Sequence, residues 1–83
     1  MQIVISKAAG RTLRRSDKRE LIARKIEELT VDRDALAANV VKLQGRSGYR
    51  LRAQNWRIVF RLADDVLYID EIEPRGSAYE DRT

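Results

Sequence analysis

With 83 residues, 43% of them hydrophobic, the chain is long enough for one small domain around a modest core and too apolar for a disordered segment. It has no cysteine and no histidine, which excludes disulfides, thiolate metal sites and imidazole acid–base catalysis and argues against zinc. No apolar run reaches the length of a membrane span and no signal-peptide core follows Met1, so the expectation is a cytoplasmic protein with no membrane, metal or cofactor.

Charge is distributed unevenly. The 17 basic and 13 acidic residues leave a net +4. From Ala35 to Ala63 there is no acid at all, while Lys42, Arg46, Arg50, Arg52, Arg57 and Arg61 fall within that stretch. The last twenty residues hold seven acids against Arg75 and Arg82. A basic middle without counter-charge attracts phosphate; a solvated basic surface kept for solubility is the alternative.

The elements follow in chain order. Gln2 to Ile5 reads as a short strand, rich in β-branched residues. Ser6 is placed to cap a helix over Lys7 to Arg15, although its interior Gly10 is a weak helix former. Ser16 and Asp17 read as a break and a second N-cap, before a helix from Lys18 to Thr30. There Ile22, Ile26 and Leu29 recur at i, i+4 and i+7 beside Leu21, forming one apolar stripe for core packing. So short a link predicts a helical hairpin. Val31 to Asn39 is ambiguous, with Ala35 to Ala38 able to add a helical turn. Gln44 to Gly48 reads as a turn region. Three strands follow: Tyr49 to Ala53, Trp56 to Leu62, and Val66 to about Ile72, the last pair joined through Ala63-Asp64-Asp65. Pro74 ends the sheet. The expected fold is a single small two-layer α+β domain over residues 1–83: an N-terminal strand, a helical hairpin, then a three-stranded antiparallel meander with the helices on one face.

Strand alternation sorts the stretch YRLRAQNWRIVFRL by face. Trp56, Ile58, Phe60 and Leu62 share one face; Arg57, Val59 and Arg61 share the other. Arg50 and Arg52 lie opposite Tyr49, Leu51 and Ala53. If both apolar sets meet the helices, all four arginines converge on the open face. There they form either a phosphate-gripping surface, for which the planar guanidinium fork is suited, or a cross-strand salt-bridge ladder with acids of the next strand, Asp70 among them and Tyr68 on the same side.

The run VKLQGRSGYRLRAQNWRIVFRLADDVLYIDEIEPRGSAY resembles the RelE/ParE superfamily of toxins from bacterial toxin–antitoxin pairs, and within it the RelE-like branch. The matching elements are LQG, YRLR, the W-R-I-V-F strand, the DD turn and PRGSAY. With the N-terminal strand and charged hairpin in the same order, the resemblance spans nearly the whole chain. It implies the RelE-like fold and a ribosome-dependent mRNA endonuclease that inhibits translation. The implied reaction is metal-independent, with products like those of 2′-OH attack on the adjacent phosphate. It also implies a cognate antitoxin as partner, with the ribosome and mRNA as targets.

Carried over residue by residue, the resemblance makes Arg50, Arg52, Arg57, Arg75 and Tyr79 the catalytic candidates. Arg50, Arg52, Arg61, Lys42 and Arg46 are the RNA-binding ones. Arg75 has an alternative role in a salt bridge to Glu71 or Glu73. Some relatives carry lysines where this chain has Arg50 and Arg52, and arginine essentially never loses its proton. Tyr79 is then the remaining candidate base, or catalysis rests on charge stabilisation and positioning alone. Two other readings share the fold: a ParE-like inhibitor of DNA gyrase that cleaves nothing, and a degenerate toxin that only binds its antitoxin.

Overall fold

A computed structural model describes residues 1–74, less the side chains of residues 33 and 35. The elements are β1 (Gln2–Ile5), α1 (Lys7–Arg15), α2 (Arg19–Val31), a 3₁₀ segment (Arg33–Asn39), β2 (Val40–Lys42), β3 (Tyr49–Ala53), β4 (Trp56–Ala63) and β5 (Val66–Pro74). The sheet has five strands in the order β1-β5-β4-β3-β2. Strand β1 runs parallel to β5; the other neighbours are antiparallel. This is the expected α+β architecture with one strand more than the sequence reading assigned. Val40-Val41-Lys42 is too short to announce itself by alternation, yet it forms the edge beyond β3.

The helix boundaries follow local chemistry. The Ser6 hydroxyl accepts a bond from the Ala9 amide at 3.0 Å, starting α1 at Lys7. The second cap differs from expectation. Lys18 holds the N-cap position of α2 and gives it no side-chain bond. Ser16 instead ends α1 and accepts from the Lys18 amide at 2.9 Å, spending its hydroxyl on the link between the helices. Ile22, Ile26 and Leu29 are buried as the helical period requires. The ambiguous stretch after α2 is 3₁₀, and it inserts Leu36 into the core.

One core lies between the helices and the inner sheet face. Helices contribute Ala9, Ile22, Ile26 and Leu29; the strands contribute Leu51, Ala53, Ile58, Phe60, Leu67, Ile69 and Ile72. Each of the larger side chains adds about 1.5–3 kcal/mol of burial free energy. Tyr49 and Phe60 stack across β3 and β4 with centroids 5.5 Å apart.

Two connections set the register of the central strands. Asp64 and Asp65 both have positive φ, 52° and 63°, which makes a two-residue turn whose twist matches the β4–β5 hairpin. Gln54, at φ 56°, turns β3 into β4. A bulge interrupts the β4–β5 ladder: Val59 faces Glu71 while the next residue, Phe60, faces Ile69, leaving Asp70 extra. The Ser6 hydroxyl donates to the Asp70 carbonyl at 2.9 Å, so the residue that caps α1 also anchors the bulge.

Candidate nucleic-acid interface

The register brings the four strand arginines to one surface. Arg52 lies directly opposite Arg57 across β3 and β4, and Arg50 opposite Val59. Because Leu51, Ile58 and Phe60 are buried against the helices, alternation sends Arg50, Arg52, Arg57 and Arg61 to the outer face. Val59 shares that face yet is 4% exposed. The long aliphatic stems of charged neighbours suit such a cover, keeping their heads in water.

The bulge decides the charge of this face. In an unbroken strand carrying Tyr68 outward, Ile72 would point outward too. The extra residue shifts the alternation, so Ile69 and Ile72 are both buried while Glu71 and Glu73 join Tyr68 and Asp70 on the outside. Three ion pairs follow. Asp70 accepts two bonds from Arg61, from Nε at 2.7 Å and from a terminal nitrogen at 3.0 Å. Arg46, from the β2–β3 connection, reaches across β4 to Glu71 at 3.2 Å. Arg57 approaches its register partner Glu73 at 3.5 Å. Arg61 also lies over the Tyr68 ring, 4.8 Å from its centroid. The Asp70 hydrogen bond, and then its charge, hold the Arg61 guanidinium still more firmly protonated than usual.

Five arginines thus meet three carboxylates, and the excess sits on β3. Arg50 and Arg52 make no ion pair or hydrogen bond with any described residue. Their Cα atoms are two residues apart on one strand, about 6.6 Å at the usual rise. At that spacing two guanidinium forks can share one phosphate or hold successive ones. The face therefore grades from uncompensated positive charge at β3 to paired charge at β5.

Lys42 does not join this cluster. It pairs with Tyr49, so alternation turns it toward the helix side, and Val41 takes the outer place opposite Arg50. It borders an open recess near 390 Å³ with Ser47, Gly48, Tyr49, Arg61, Leu62 and Ala63. Arg46 does reach the outer face, as a partner of Glu71. Arg75 and Tyr79 lie outside the described residues. The sequence reading missed that the carboxylates Glu71 and Glu73 both turn to this outer face. The signal was present in LYIDEI, where buried positions step by two from Leu67 to Ile69 and then by three to Ile72. Among the described residues no group of acids is arranged to hold a metal ion, and no helix is long and apolar enough to cross a membrane.

No protein-family model and no curated protein sequence matches the chain. Solved structures do. A chain of the RelB–RelE antitoxin–toxin complex from Methanococcus jannaschii superposes with a TM-score of 0.74 at 21% identity, covering 96% of this chain and 99% of that one. The archaeal RelE–RelB complex from Pyrococcus horikoshii OT3 matches at 0.71 and 25% identity, over 90% and 94% of the two chains. YafQ from E. coli strain BL21(DE3) matches at 0.74 and 15% identity, over 94% and 97%. The sheet order, the helical layer and these superpositions agree, and the chain has the RelE-like fold of the RelE/ParE toxin superfamily.

Proposed function

We propose that the whole chain is one toxin domain of a toxin–antitoxin pair, acting in the cytoplasm as a ribosome-dependent mRNA endonuclease and neutralised by a cognate antitoxin. The observation that carries this reading is the pair Arg50 and Arg52, uncompensated on β3 beside Arg57 on the open face of a RelE-like sheet. Several structural neighbours are themselves antitoxin–toxin complexes, which supports the partner.

The reaction is a transesterification without metal. The 2′-oxygen attacks the adjacent phosphorus, a cyclic phosphate forms, and the 5′-oxygen leaves. Charge accumulates on the phosphorane oxygens, and fixed guanidinium groups stabilise it there. Arg50, Arg52 and Arg57 fill that role. Arg57 exchanges its 3.5 Å contact with Glu73 for phosphate at small cost, because a partly exposed pair contributes little. Arg75 and Tyr79 complete the set, Tyr79 stacking on a base or moving a proton.

The test is expression of the chain with and without the neighbouring gene, with mRNA 5′ ends mapped. Codon-positioned cuts that vanish in Arg52→Ala and Arg57→Ala are expected. Growth arrest with intact mRNA and inhibited supercoiling would replace this reading with the gyrase inhibitor, and no toxicity at all with the degenerate toxin.

A further inference from the structure

The reaction needs a group to take the proton of the 2′-hydroxyl, and arginine is not one. Three carboxylates share the face, and they differ in how fully they are engaged. Asp70 is clamped by Arg61 through both oxygens. Glu71 accepts a hydrogen bond from Arg46 at 3.2 Å. Glu73 has only the longer 3.5 Å contact with Arg57 and accepts no hydrogen bond from any described residue. Its side chain is 37% exposed, open to a ligand on the face.

Position separates them as well. Arg52, Arg57 and Glu73 form one row across β3, β4 and β5. Neighbouring members stand one strand spacing apart, about 4.8 Å. A phosphodiester held between the forks of Arg52 and Arg57 has its adjacent ribose within reach of a carboxylate at the end of that row. Glu71 instead lies in the row of Arg50 and Val59, two strand spacings from the arginine of that row, and it is already held by Arg46.

We propose that Glu73 is the general base of the cleavage reaction, an inference that rests on the endonuclease reading above. The Glu73 carboxylate takes the 2′-hydroxyl proton as the 2′-oxygen bonds to phosphorus. The bond from phosphorus to the 5′-oxygen then breaks, and that oxygen takes a proton from water. Glu73 returns its proton to water afterwards, so the cycle balances. When Arg57 turns to the phosphate it gives up its 3.5 Å contact with Glu73, which frees that carboxylate for the 2′-hydroxyl.

The experiment uses the purified full chain with ribosomes programmed with mRNA, and measures ribosome affinity and single-turnover cleavage separately. Glu73→Gln is expected to slow cleavage at least about 100-fold, the usual worth of a positioned base, with affinity unchanged. Glu73→Asp should retain part of the rate. Glu71→Gln removes the same charge from the same strand and should cleave as the wild type does. Melting curves confirm that each variant is folded. Wild-type cleavage by Glu73→Gln overturns the base and leaves the endonuclease standing. Equal slowing in Glu71→Gln and Glu73→Gln overturns it in favour of a general effect of face charge. A wild-type chain that binds programmed ribosomes and cuts nothing overturns both.

Discussion

Gly48 joins the turn region to β3, and its replacement by alanine tests how the arginine strand is held. Its amide unit closes the β2–β3 hairpin, with the Leu43 amide donating to the Gly48 carbonyl at 3.0 Å. Its φ is +117°, a backbone conformation that side chains avoid. A Cβ there would stand 2.8 Å from the Phe60 carbonyl oxygen and 3.1 Å from the Arg61 Cγ. The first contact is with strand backbone, so no side-chain rotation relieves it, and β3 must move off β4. The backbone conformation alone costs about 1–3 kcal/mol. With the clash, Gly48→Ala should destabilise the fold by about 2–4 kcal/mol, a large share of the roughly 4–12 kcal/mol that a chain of this length commonly has. In a thermal melt this is a fall of about 10–25 °C. Gly45→Ala is the control. Gly45 also has positive φ, +79°, yet a Cβ there meets nothing within 4 Å, so it should cost only about 1 kcal/mol. Chemical denaturation of both variants, followed by circular dichroism, gives the comparison. Equal destabilisation would refute the close approach of Gly48 to β4, and with it the account of how Arg50 and Arg52 are set beside Arg57.

Two other predictions concern the face and its turn. Binding of a short single-stranded RNA, followed by fluorescence anisotropy against salt, should show a slope in log affinity that shrinks by about 0.7 for each phosphate no longer neutralised. Arg50→Ala and Arg52→Ala should each flatten the slope by that amount, whereas Arg61→Ala should leave it unchanged, because Asp70 already offsets its charge; equal effects at all three positions would refute the graded face. In the β4–β5 turn, Asp65→Gly should stabilise the fold by about 0.5–1 kcal/mol in urea titration, since glycine adopts the positive φ of 63° without steric cost and the turn becomes Asp-Gly.

Local chemistry made much of this fold readable. Ser6 before a helical run, Ile22-Ile26-Leu29 at helical spacing and the alternation of Trp56 to Leu62 each report a short-range preference, and each holds in the structure. The convergence of Arg50, Arg52, Arg57 and Arg61 was legible for the same reason, since strand period and hairpin connection suffice to sort faces. What sequence did not reveal depends on pairing between distant residues. Val40 to Lys42 is a strand because β3 offers it an edge.

The charge state of the face belongs to the same class. By itself the sequence determined an α+β chain with its arginines on one side of a sheet, because side-chain period is a property of each strand alone. Which of those arginines remain free for a phosphate was decided by tertiary structure. A single extra residue at Asp70, anchored by Ser6 from the other end of the chain, shifts the alternation of β5. That shift turns Glu71 and Glu73 outward against Arg46 and Arg57, beside the Arg61–Asp70 pair, and leaves Arg50 and Arg52 without partners among the described residues.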